Sequence, residues 1–295
     1  MAAIGLLMWA AEPLVFDYLS GSLLRWDWLF AVGMAACFLK KERYGVAGAF
    51  FGYAVATKLF PLFFGVAMAI AAFFEWRRTR KIRPEHVKFL KGAVLSGGLA
   101  VVVSAALFGF DTWVEYAQRI QVAQVEKYYS IQYSLKTVYL QFITSGPSEW
   151  IQGIFPAEIK QARPDIDIKD YAFGYWVARL LFTALIAVLL RRAKDVEAFL
   201  LGPLLVFTWL TVNMYYWNML GLMAMGLALR KERPPFAMLI GLHFIFMVFY
   251  LYQHLNRGGS EGYAVAWMIA VGIIAAAWYE RRDQKKADAA EPARA

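Results

Sequence analysis

The chain has 295 residues, 60% of them hydrophobic and 17% aromatic, and a formal net charge of +9. This composition excludes an ordinary soluble globular domain, and the basic residues stand in short clusters between apolar runs, so the charge reports membrane topology and not nucleic-acid binding. The single cysteine, Cys37, lies in an apolar stretch and excludes both a disulfide framework and a CxxC metal or redox site.

The first stretch, "MAAIGLLMWAAEP", lacks the basic region of a signal peptide and carries an acid and a proline, so it reads as a short or truncated membrane segment. Apolar segments then recur at roughly 1–16, 24–39, 44–60, 61–76, 89–110, 171–191, 196–212, 214–230, 235–253 and 262–280. The fold class expected is all-α: a polytopic transmembrane bundle of about nine to ten spans over residues 1–280. Several segments fall short of the ~20 residues that a straight helix needs to cross ~30 Å of hydrocarbon, so some are expected to thin the bilayer locally, run into the interface or break near a cavity.

Five basic clusters separate the spans: "KKER" at 40–43, "RRTRKIRPEHVK" at 77–88, "RRAK" at 191–194, "RKER" at 230–233 and "RRDQKK" at 281–286. All five fit one cytoplasmic side if the chain between neighbours crosses an even number of times. From Tyr44 to Trp76 the apolar chain would be about 50 Å long as one helix, with basic residues at both ends. It is therefore expected to be a hairpin turning at Lys58 to Pro61, because proline removes a backbone donor and pushes its predecessor out of helical geometry. That turn, residues 111–170 and the turns near 213–218 and 254–261 then share the outer side.

The outer segment 111–170 opens with an interfacial helix whose Trp113, Tyr116, Ile120, Val122, Val125 and Tyr128 can cover one side, with Arg119 and Lys127 facing elsewhere. The tail, 281–295, is expected to be disordered and cytoplasmic. Motifs of soluble enzymes are missing: the sequence contains no GxGxxG, P-loop, HExxH or GxSxG. No cofactor and no metal are expected.

Chemistry must then come from polar residues at the outer boundary: Asp17, Arg25, Asp27, Lys58, Arg119, Lys127, Gln132, Lys136, Arg179, Asn213, His254 and Arg257. Several carry two readings. Arg25 and Asp27 bracket Trp26 at a span end, either as an aromatic belt with an anchoring charge pair or as a carboxylate facing a polar cavity. Lys58 either snorkels to the headgroups or holds an anionic headgroup, for which a lipid phosphate is the natural ligand. In "YYSIQYSLKTVY" (128–139), Tyr128, Tyr129 and Tyr133 offer ring faces, and Gln132, Ser134 and Lys136 offer hydrogen bonds to a sugar or headgroup; the alternative is an ordinary interfacial helix. "NMYYWN" (213–218) is of the same kind. His254 and Arg257 lie in a short outer loop that is either merely solvated or a phosphate holder. His243 reads as a helix-packing residue, and His86 is given no role.

The pattern "AEPLVFDYLSGSLLRWDWLFAV" followed by "GVAGAFFGYAVATKLFPLFFGVAMAI" and "EWRRTRK" resembles the integral-membrane GT-C glycosyltransferases, and among them glycosyltransferase family 87. Trp26 and Asp27 match an N/R-W-D-L-like motif. Ala47, Gly48, Gly52, Ala54, Lys58 and Pro61 match a stretch A-G-x-x-x-G-x-A-x-x-x-K-x-x-P, and "YYSIQYSLKTVY" is similar to a Y-S-containing outer helix. The recognisable motifs cover about residues 10–145, and beyond them only the hydropathy agrees.

The resemblance implies a transferase at the outer face of the plasma membrane that moves a hexose, commonly mannose, from a polyprenyl-phosphate sugar to a lipid or glycan acceptor, generally with inversion. A carboxylate would deprotonate the acceptor hydroxyl while cations stabilise the departing lipid phosphate. The expected assignments are Asp27 as base, Lys58, His254 and Arg257 on the donor phosphate, and Arg25, Trp26, Tyr129, Gln132, Tyr133, Ser134 and Lys136 on substrate. Family members carry their catalytic acid in a first outer loop upstream of everything matched, so the expectation is an N-terminally incomplete chain in which Asp27 is the best acid present; the alternatives are that Asp27 or Asp17 has taken the role, or that the chain no longer catalyses transfer. Two competing expectations are a transporter or flippase for an amphiphile, suggested by short spans interrupted by proline and glycine, and a non-catalytic family member.

Overall fold

The computed structural model describes residues 27–125, 132–144, 171–213, 219, 222–223 and 269–282. The expected segments 1–16, 214–230 and 235–253 lie wholly or almost wholly outside these residues, as does the tail beyond 282. The described residues form nine complete helices and one two-residue strand pair. In chain order they are α1 (Asp27–Lys40), α2 (Tyr44–Thr57), α3 (Leu62–Thr79), α4 (Pro84–Phe108), α5 (Asp111–Val125), β1 (Gln132–Tyr133), α6 (Leu135–Thr144), α7 (Ala172–Leu190), α8 (Asp195–Leu200), α9 (Gly202–Trp209) and β2 (Val212–Asn213). Residues 269–282 are helical as well.

Helix α1 begins on Asp27 and ends on Lys40, charges that complement the helix dipole at each terminus. It stops in a Schellman-type turn. Glu42 takes the left-handed conformation at φ 58°, and the Arg43 N–H reaches back to the Phe38 carbonyl at 2.9 Å. The hairpin expected over Tyr44 to Trp76 is present as α2 and α3. Lys58 caps α2 in extended geometry (φ −146°, ψ 136°), and Pro61 at φ −55° leads into α3. Arg80, again left-handed at φ 58°, ends α3 among the basic residues.

Helices α2 and α4 approach backbone to backbone. A Cβ on Gly48 would collide with the Phe89 carbonyl, one on Gly52 with the Ala93 carbonyl, and one on Gly92 with the Gly45 carbonyl. Small residues are how helices gain contact area in lipid, where no hydrophobic force drives them together. Four phenylalanines then tie α2, α3, α4 and α8. Phe199, fully buried, has Phe51, Phe64 and Phe89 at ring-centroid distances of 5.7, 5.5 and 6.3 Å. Each aromatic pair is worth about 0.5–1.5 kcal/mol beyond the area it buries.

The segment 196–212, expected as one span, is two short helices, α8 and α9, meeting at Leu201. Pro203 lacks the N–H that a continuous helix needs there, and Gly202 lies so close to α3 that its Cβ would stand 2.5 Å from the Phe64 Cα. Among the described residues two helices, α4 and α7, are long and apolar enough to cross a membrane by length and composition. Much of α4's apolar surface points away from the protein, with Leu95 74% and Leu107 70% exposed, as lipid-facing residues should be.

Candidate functional site

The N-terminus of α1, the turn at Lys58 to Pro61 and the start of α5 meet at one end of the bundle. Trp28 packs edge-on against Phe60 with centroids 4.6 Å apart, and the phenol of Tyr116 on α5 is hydrogen-bonded to the backbone of Leu59. Burial raises the pKa of Tyr116, partly offset by that hydrogen bond. Trp113 hooks α5 back onto α4 by donating its indole N–H to Ser104 Oγ at 3.0 Å. These contacts fix the turn that carries Lys58.

Asp27 sits beside this turn. Its Oδ1 accepts the Trp28 backbone N–H at 2.7 Å, and its Oδ2 accepts the Tyr53 hydroxyl at 3.1 Å. A carboxylate offers about four lone-pair sites, so two are left for another donor. Lys58 is half-buried, and its ammonium makes no ion pair or side-chain hydrogen bond among the described residues. An acceptor and a cation thus occupy one end of the bundle, on elements locked by aromatic packing.

A two-residue strand pair brings two further candidate segments together. Gln132 pairs with Asn213 and Tyr133 with Val212, so two loops singled out separately in the sequence, at 128–139 and 213–218, are joined. Ser134 and Lys136, expected on substrate, are buried at 0% and 7% exposure. Ser134 caps α6, accepting the Thr137 N–H on its Oγ at 3.3 Å. Arg25, Trp26, Tyr129, His254 and Arg257 lie outside the described residues, and of Gln132 and Tyr133 only the backbone pairing is described.

Arg179, also among the candidates, lies inside α7, over the rings of Tyr175, Trp176 and Trp209 at 4.2, 5.3 and 5.5 Å. Its Nη2 donates to the Trp209 carbonyl at 3.0 Å, the otherwise unpaired acceptor at the end of α9. Ring faces and a helix terminus supply what lipid cannot, and the arginine ties α7 to α9.

A second polar cluster, at the opposite end of α2 and α3, was not anticipated, and it corrects the reading of His86 as a residue without a role. Asp195, 8% exposed, accepts the Tyr44 hydroxyl at 2.6 Å; Arg83 Nη1 lies 3.3 Å from it and His86 Nε2 3.1 Å from it. Burial opposes ionisation of Asp195, but the hydrogen bonds from His86 and Tyr44, with the charges of His86 and Arg83, outweigh it and hold the carboxyl below its usual range. Ligand atoms of Glu75, His86 and Asp195 lie within 4.8 Å of one another, a spacing that suits a cation. Arg83, however, stands 3.6 Å from Glu75 Oε2 and 3.3 Å from Asp195 Oδ2, so a fixed positive charge already serves both acids. The arrangement is an ion-pair staple joining α2, α3, α4 and α8. The sequence signal for it is two acids, Glu75 and Asp195, each standing beside a basic cluster.

Apolar helices, a small-residue helix contact and polar groups gathered at the helix ends are the features of an integral membrane protein. Residues 3–212 match the model of glycosyltransferase family 87, and the chain belongs to that family. No curated protein and no solved structure matches the chain.

Proposed function

We propose that this protein transfers a hexose, with mannose the first to test, from a polyprenyl-phosphate sugar to a lipid or glycan hydroxyl at the outer face of the plasma membrane. The reading is carried by one observation: Asp27 and Lys58 occupy the same end of the bundle in a chain of glycosyltransferase family 87. In this scheme Asp27 takes the proton of the acceptor hydroxyl as its oxygen attacks the anomeric carbon. The bond from that carbon to the phosphate oxygen breaks, and polyprenyl phosphate leaves with the electron pair. Lys58 offsets the charge gathering on that oxygen, as a positioned cation at a low-dielectric boundary does effectively. Attack opposite the leaving group inverts the anomeric centre. His254, Arg257, Arg25, Trp26, Tyr129, Gln132 and Tyr133 remain assigned to donor or acceptor from their sequence positions.

Membranes containing the protein, supplied with radiolabelled polyprenyl-phosphate mannose, should transfer label to a lipid or glycan fraction. Absence of transfer with mannose and with other hexoses on the same carrier would overturn the proposal.

A further inference from the structure

A groove of about 490 Å³ runs along α3 from Leu62 to Trp76, walled on the other side by the first half of α4. That span of α3 is roughly 20 Å long at ~1.5 Å per residue. Gly65, Ala69 and Ala72 leave the room on α3, Phe51 forms the floor with its ring against Gly65, and Phe89 and Ala93 close the α4 side. Polar residues line only one end: Glu75, Lys81 and His86.

Two of the three are already engaged. Glu75 faces Arg83 at 3.6 Å and His86 faces Asp195 at 3.1 Å, whereas the exposed Lys81 makes no ion pair among the described residues. Arg77, Arg78 and Arg80 are exposed on the adjoining turn, and Arg80 lies over the ring of Trp76 at 5.7 Å. The groove therefore has an apolar body and a cationic mouth, and it ends in tryptophan and basic residues as a membrane boundary does. The matching occupant has a long apolar chain and an anionic head.

We propose that this groove binds an anionic phospholipid, one acyl chain lying between α3 and α4 and the phosphate held at Lys81. The mouth lies at the end opposite Lys58, so the lipid belongs to the cytoplasmic leaflet and is not the sugar donor. Its binding is independent of the proposed transfer reaction. An acyl chain here would cover apolar surface that α3 and α4 leave open beside the ion-pair staple, and so would brace the hairpin against α4.

The test uses the full chain, released from membranes in mild detergent and offered equal amounts of phosphatidylglycerol and phosphatidylcholine with identical acyl chains. Native mass spectrometry reads which lipid is retained. Wild type should retain the anionic lipid at least about fivefold over the zwitterionic one, since one juxtamembrane basic residue contributes a factor of that size. Lys81→Gln, a change at an exposed position, should bring the ratio close to one, and Ala69→Trp, which fills the groove, should abolish retention of both. Equal retention of the two lipids by wild type, or an unchanged ratio in folded Lys81→Gln, would overturn the proposal. Retention of a second protein copy that Ala69→Trp abolishes would assign the groove to a dimer contact and overturn it too.

Discussion

His86 and Asp195, 109 positions apart in sequence, meet with Nε2 at 3.1 Å from both carboxylate oxygens, closing α4 onto α8. Tyr44 adds a hydroxyl from α2, and Arg83 reaches both Asp195 and Glu75 of α3. Replacing Asp195 by Asn keeps the shape but removes the charge that these donors share. Arg83 is 39% exposed and water screens part of its loss, so the expected cost is about 1–3 kcal/mol, below that of a fully buried pair. Tyr44→Phe should cost about 1 kcal/mol. Thermal unfolding in detergent measures both, and a double-mutant cycle should show coupling between them. Full additivity would mean that the staple does not act as a unit.

The same group sets a pH dependence. Asp195 has a folded pKa below its unfolded value, so its stabilisation is fully present above the unfolded value of ~3.9 and is lost as pH falls through the depressed folded one. Acidification from pH 6 to below ~3.9 should therefore lower the melting temperature of wild type more than that of Asp195→Asn. Parallel curves for the two proteins would show that other carboxylates carry the acid sensitivity.

Gly48 and Phe89 set the spacing of α2 and α4. Gly48→Ala puts a methyl group onto the Phe89 carbonyl, a backbone atom that cannot swing aside. The helices must then separate, at a cost of about 1–3 kcal/mol typical of overpacking. Gly33→Ala is the matched control, because nothing lies within 4 Å of its added methyl, and helix propensity alone should make it neutral or stabilising by up to ~1 kcal/mol. Folded yield and melting temperature in detergent distinguish the two. A Gly48→Ala protein as stable as wild type would show that the contact relaxes freely.

These elements differ in how far the amino-acid order announces them. The turn at Lys58 to Pro61 is legible, because proline and the basic flanks act locally and the membrane leaves few ways to cross. Gly48 and Gly52 are visible as part of a family-like motif, yet their reason appears only when α4 is laid against them. The break between α8 and α9 is harder to see. Hydropathy averages over it, and Gly202 with Pro203 is the one local sign. The His86–Asp195 contact leaves no periodic trace, because each residue stands in the first turn of a helix, within or beside a basic cluster that dominates its reading. The β1–β2 pair, two residues a side, is too short for alternation to register.

Asp27, Tyr53 and Lys58 separate chemistry from scaffolding by their kinetic signatures. If Asp27 is the base, Asp27→Asn keeps an acceptor oxygen for the Trp28 N–H and turns its NH2 donor towards the Tyr53 hydroxyl, which can accept, but it cannot take a proton, so kcat should fall at least about a hundredfold with little change in KM. Tyr53→Phe removes one hydrogen bond that orients the carboxylate, for which a loss of about fivefold is expected. If Lys58 holds the donor phosphate, Lys58→Ala removes the charge that binds it. Its effect should appear as a loss of about ten- to a hundredfold in kcat/KM for the polyprenyl-phosphate sugar, partly restored by Lys58→Arg. A purely structural lysine in the turn would instead lower the melting temperature and leave the kinetics of the surviving protein unchanged. Wild-type kcat in Asp27→Asn would move the base to another residue while leaving the phosphate assignment of Lys58 to stand on its own measurement.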